Sequence, residues 1–295
     1  MTAEHAGDTG HAGHRSRRPS TTTRHAHDPT TSSGTFRDLL AAEWIKLWSL
    51  RSTSWLLGLG TLAIVALAAQ SSLDAYQSWP GFTAMEKARF NPLGEAFSGL
   101  AASLLMIGAG SLGALTIVGE YATGLIRTTL AAVPARHRVV AAKLAVTAAV
   151  TLATGALISA GTFGVSQAIL SGRGVAVSLG DPGVLRVLAA NALLAPVSAL
   201  TGMGIGALAR HTAAAVVTVC AALVIVPTFF QPTVHQWLND LYALVPFYVW
   251  RTCLGLARLR DDPALPTVAG SWVAFALWPL VAAVLTLIVV RRRDV

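Results

Sequence analysis

The chain has 295 residues, of which 54% are hydrophobic and 12% charged, and it carries a formal net charge of +8. A soluble domain devotes about a quarter of its residues to Asp, Glu, Lys and Arg, so a water-facing surface of ordinary composition is excluded. The apolar residues are gathered into blocks, and the class this implies is an all-α polytopic membrane protein.

Residues 1–34 are Ser, Thr, His, Gly and Arg with almost no large apolar side chain. Such a stretch cannot bury enough surface to offset its ordering entropy, which predicts a disordered cytoplasmic tail. His5, His11, His14, His25 and His27 lie in it at a spacing that matches no metal-ligand pattern. Arg17 and Arg18 follow a Ser, as in twin-arginine signals. Pro19 comes next and no apolar core begins before residue 54, so the pair belongs to a solvated basic tail.

Residues 35–53 read differently. In "FRDLLAAEWIKLWSLRS" the residues Phe36, Leu40, Trp44, Leu47 and Trp48 recur at helical spacing, while Arg37, Asp38, Glu43 and Lys46 tend to the other side. This predicts an amphipathic interface helix on the cytoplasmic membrane surface, with Trp at headgroup depth and Arg51 anchoring the first span.

Residues 54–295 form the expected transmembrane domain. Six apolar blocks are long enough to span: Ser54–Leu73, Ala96–Gly119, Leu144–Leu170, Val187–Ala209, Thr212–Phe230 and Ser271–Val290. An apolar helix needs about 20 residues to cross the hydrocarbon core. The fifth block is short, and only Arg210 and His211 divide it from the fourth.

None of these blocks contains Asp, Glu, Lys, Arg or His; the polar exceptions are Gln70, Gln167 and Asn191. Intramembrane charges mark ion relays, so their lack argues against an ion-coupled secondary carrier. H-E-x-x-H, G-x-S-x-G and the phosphate-binding G-x-x-x-x-G-K-[ST] are all missing from the chain, so no catalytic, metal or cofactor residue is assigned. Cys220 and Cys253 are expected as free thiols.

Small residues at Ala156, Ala160 and Gly164, and at Gly202 and Gly206, predict close helix packing, mostly within one subunit. Pro196, Pro227 and Pro279 each remove a helix hydrogen bond and are expected to kink the last three spans. Between the fifth and sixth blocks, Val234, Leu238, Leu241, Val245 and Tyr248 fall at helical spacing. There Trp237, Tyr242, Phe247 and Trp250 suggest an outer aromatic belt, with a lid over an exit path as the alternative.

Orientation follows from the bases beside the spans. About two-thirds of the Lys and Arg fall in the terminal segments and in the second and fourth connections, while the acids divide evenly. Both termini are therefore expected in the cytoplasm of a bacterial cell, with the chain in its plasma (inner) membrane. The same bias explains the basic pI without nucleic-acid binding.

The second connection is the most unusual segment. "GEYATGLIRTTLAAVPARHRVVAAKL" can form a helix from Glu120 to Val133, stopped by Pro134. Leu125, Ile126, Thr129, Leu130 and Val133 make one face, and Glu120, Thr123 and Arg127 the other. A charged loop obeying the positive-inside rule accounts for the bases, but not for a cytoplasmic apolar face.

This segment, together with "AAEWIKLWSLRS" before the first span, resembles the membrane subunits of ABC-2 type transporters, over roughly residues 36–295. The resemblance implies six transmembrane helices with an N-terminal amphipathic interface helix and a cytoplasmic coupling helix. It also implies a permease with no cofactor of its own, ATP being handled by a cytoplasmic ABC ATPase subunit. A second permease chain would complete a homo- or heterodimer in membrane lipid. Glu120, Gly124, Arg127, Pro134, Arg136 and Arg138 would belong to the ATPase-coupling segment, and Glu43, Trp44 and Lys46 would add contacts from the interface helix. The resemblance implies export, and a charge-free path suits an amphipathic or lipophilic cargo, such as a drug, an antimicrobial peptide or a lipid. The rival expectations are a membrane scaffold or assembly protein, and a secondary carrier without an ATPase.

Overall fold

The computed structural model describes residues 35–122, 136–209, 211–229, 244–253 and 267–292. Among these residues the chain is helical and contains no strand. The expected tail and the segment bearing Gly124, Arg127 and Pro134 lie outside them.

Helix α1 (Phe36–Ser49) begins in a capping box. The Thr35 backbone N–H donates to Asp38 Oδ2 at 2.7 Å, and the Asp38 N–H donates back to Thr35 Oγ1 at 3.4 Å. Two N–H groups that an α-helix leaves unpaired are thereby satisfied. Leu50, in an extended conformation, ends the helix, and α2 (Arg51–Ser78) starts at the next residue. The interface helix is thus shorter than residues 35–53, and the first long helix takes in Arg51, Ser52 and Thr53.

Beyond α2 a 3-10 turn, Trp79–Gly81, leads to two short helices, α3 (Ala84–Arg89) and α4 (Pro92–Ala96). Trp79, Phe82 and Phe90 cluster there, with the Trp79 and Phe90 rings 5.2 Å apart edge to face. Aromatic groups of this kind favour the membrane–water boundary.

The long helices α5 (Gly99–Ala122) and α7 (Val184–Leu208) form the centre of the bundle. Their backbones meet because glycine leaves room. A Cβ added at Gly113 would lie 1.8 Å from the Ala199 carbonyl oxygen, and one at Gly202 would lie 1.9 Å from that of Gly110. Gly202 and Gly206 therefore pack within one chain, as their spacing predicts. Helix α6 (Arg136–Ser171) packs against both α2 and α7. Ser72 Oγ donates to Ser166 Oγ at 2.7 Å, and Ser159 Oγ donates to the Leu188 carbonyl at 2.9 Å. On α6 the close approach is made at Gly155, whereas Ala156 and Ala160 are exposed. The buried stripe lies one position away from the predicted face and carries Gly155, Ile158, Ser159 and Thr162.

After α7 the chain forms α8 (Thr212–Cys220), a π turn at Ala221–Ile225 and α9 (Val226–Phe229). Pro227 supplies no N–H to the preceding turn, a natural place for the wider π register. Two further helices are described, α10 (Pro246–Cys253) and α11 (Val268–Arg292), the latter with Pro279 inside it. Trp250 is fully buried in the core and so is no part of an interfacial belt.

Five helices among the described residues are long and apolar enough to cross a membrane: 51–81, 92–120, 137–171, 184–208 and 268–290. The sixth expected span is a shorter apolar helix interrupted by the π turn, so five stand where the sequence suggests six. The third long helix also starts about two turns before Leu144, which brings Lys143 inside it.

Candidate functional site

Where α1 meets the bundle, two acids and two bases come together. Glu43 and Lys46 lie one turn apart on α1, Glu120 lies near the end of the described part of α5, and Lys143 lies on α6. Lys46 Nζ donates to Glu43 Oε1 at 2.7 Å and to Glu120 Oε1 at 3.0 Å. Lys143 Nζ donates to Glu120 Oε1 at 2.9 Å and also to Glu43 Oε2. The four side chains close a ring in which each acid touches both bases.

Burial explains the ring. Glu43 and Lys143 are only 5% and 6% exposed, and an isolated charge taken that far from water costs several kcal/mol unless it is paired. The pairing also corrects the predicted face of α1. Leu47 and Glu43 point inward and Leu40 packs beside Leu47, Val146 and Val150. Trp44 and Trp48 instead lie outward with their rings 5.8 Å apart. Glu43 and Lys46 thus belong to the packed side, and Trp44 to the exposed one.

Lys46 lies outside the long apolar helices and keeps a 38% exposed side chain. Its partial burial disfavours the charged form. The hydrogen bond to Glu43 and the charges of Glu120 and Glu43 together outweigh that, and hold its ammonium above the ordinary lysine range. At the start of α1, the hydrogen bonds that Thr35 donates hold the Asp38 carboxyl below its ordinary range.

Beside the ring lies a cleft of about 560 Å³ between α1, α2, α5 and α6. Its walls include Leu50, Leu56, Leu112, Leu115 and Val146, and the four charged residues line its polar end. Leu50, Leu56 and Leu115 are exposed, so the cleft reaches the surface along an apolar flank.

Of the residues expected in an ATPase-coupling site, the structure brings Glu43, Lys46 and Glu120 into one cluster. Arg136 opens α6, and Arg138 is half-buried on its first turn. Lys143 was the residue missed. The available signal was a lone acid at the end of the second block and, among the three bases that lead into the third, the one set directly against it. Among the described residues no group of His, Cys, Asp and Glu is arranged to hold a metal ion.

No protein-family model matches the chain, and no curated protein is similar enough in sequence to match it.

Proposed function

We propose that this chain is the membrane-spanning permease subunit of an ATP-driven transporter of the ABC-2 type. It sits in a bacterial plasma membrane with both termini cytoplasmic and exports an amphipathic or lipophilic cargo, using ATP bound by a separate cytoplasmic subunit. What supports this is the ion ring. The segment between α5 and α6 carries the resemblance to a coupling helix, and the ring joins the interface helix to both helices that bracket that segment. A push on the segment, or on α1, would reach α5 and α6 together instead of being lost in a loose hinge. The sixth span of the family layout is the Thr212–Phe230 stretch, with its π turn as a pliable point.

In this arrangement Glu120 holds the permease end together, and Arg127 is the polar contact offered to the ATPase. Gly124, Pro134, Arg136 and Arg138 complete the coupling segment. The test is purification of the tagged chain from its own cells in mild detergent, with and without Arg127→Glu. The expected result is an ATPase with phosphate-binding motifs that co-elutes with the native chain. Its yield falls by about tenfold or more in the variant, as loss of one hydrogen bond to a charged group gives. An eluate free of ATPase contradicts the proposal and leaves a scaffold or an uncoupled carrier.

A further inference from the structure

The cleft beside the ion ring differs from the apolar outer faces of α2 and α11, which any lipid tail can cover. It is a concave space of about 560 Å³, within the roughly 300–1,000 Å³ of small-molecule sites. One end is ionic and the remainder mostly apolar, with Ser49, Ser52, Thr53, Thr116 and Thr147 among its walls, so it fits a molecule with a charged head and a hydrocarbon body. We propose that the cleft binds one zwitterionic glycerophospholipid, its phosphate on Lys46 and its acyl portion along Leu50, Leu56, Leu112 and Leu115.

Three observations select that occupant. First, Lys46 is the most exposed member of the ring, at 38% against 6%, 13% and 8% for the side chains of Glu43, Glu120 and Lys143. An ammonium has three N–H donors, and the two carboxylates take two of them. A phosphate oxygen suits the third.

Second, the ring holds two acids and two bases and is neutral in sum. A net-anionic head would add an uncompensated charge at a partly buried place, whereas a zwitterion adds none. Its amine can use acceptor positions on the carboxylates, each of which offers about four.

Third, α1 lies across the polar end, and its exposed Trp44 and Trp48 are the side chains expected at headgroup depth. The apolar walls then run from the headgroup level into the span region along α2 and α5. This site does not depend on coupling to an ATPase and stands whether the lipid is cargo or a resident.

Titration of the full-length chain in detergent, followed by native mass spectrometry, tests the proposal with three matched lipids: phosphatidylethanolamine, phosphatidylglycerol and diacylglycerol. The expected result is saturable binding of one phosphatidylethanolamine per chain. Phosphatidylglycerol should bind more weakly, and diacylglycerol about ten- to hundredfold more weakly, as loss of one hydrogen bond to a charged group gives. Leu115→Trp, which fills the cleft, should abolish binding. Leu157→Trp, on an exposed part of α6 away from the cleft, should leave it unchanged. Lys46→Gln should bring phosphatidylethanolamine down to the level of diacylglycerol.

Equal binding of phosphatidylethanolamine and diacylglycerol would overturn the phosphate assignment. Phosphatidylglycerol binding as tightly as phosphatidylethanolamine would overturn the choice of a zwitterion. Equal effects of Leu115→Trp and Leu157→Trp would overturn the location. No lipid binding at all would mean that the chain itself or a second copy fills the cleft, and would overturn the proposal entirely.

Discussion

Lys143 and Lys46 show how position decides what the same charge contributes. Lys143 is buried between two carboxylates, and its removal leaves both to share the one ammonium of Lys46, an uncompensated buried charge that costs about 3–5 kcal/mol. Lys143→Met should therefore destabilise the purified chain by about that much, as read by denaturant unfolding in detergent. Lys46 is far more exposed, though its two partners are not, so Lys46→Met should cost less, about 1–3 kcal/mol. Equal costs for the two variants would mean that burial does not govern the ring. The pH dependence has a definite sign. The Lys46 ammonium is held above its ordinary value of 10.5, so its contribution is complete below that value and fades as pH rises through the higher folded value. Fluorescence of Trp44 and Trp48 should accordingly report loosening of α1 only above about pH 10.5. Loosening well below that pH would contradict the assigned pairing. The sequence showed these charges but not their meeting, because Glu43 and Lys143 are 100 residues apart. Helical spacing also placed Glu43 on the solvated face of α1. An amphipathic pattern ranks residues by polarity and so assigns a paired, buried acid to the wrong side.

At the scale of the element, the long helices were legible because each is an unbroken apolar run of spanning length, and such a run has few alternatives in a membrane. Their ends were less legible. Helices α2 and α6 extend past the apolar runs to take in Arg51 and Asp74 on α2 and Arg138 and Lys143 on α6, since a charged side chain outside the hydrocarbon need not stop a helix. The Thr212–Phe230 stretch was also incompletely legible: composition marks it apolar, but hydropathy cannot register the change of hydrogen-bond register before Pro227. The contact between α5 and α7 carries its own prediction. Gly113→Ala places a methyl 1.8 Å from the Ala199 carbonyl, and forcing bulk into such a contact costs about 1–3 kcal/mol or more. Gly108, on the same helix, has nothing within 4 Å of an added Cβ, so Gly108→Ala should be neutral or stabilise by up to about 1 kcal/mol. Paired thermal unfolding curves of the two variants check this. A Gly113→Ala chain as stable as the parent would mean that the two backbones do not approach as described.

For the whole molecule, the arrangement has a packed centre of α5 and α7, with α1 fastened across the ends of α5 and α6 by four charges. On the proposed reading, that fastening lets a force on the connection between α5 and α6 reach both helices, and the coupling proposal rests on it. Glu120 belongs to the fastening, so a variant that tests coupling must leave it in place. The most direct measurement is the ATPase activity that co-purifies with the tagged chain, native and with residues 123–133 scrambled, alongside its unfolding curve. The account predicts activity with the native chain, and loss of that activity in the scrambled chain with unfolding unchanged. Activity with neither chain, or equal activity with both, would contradict it.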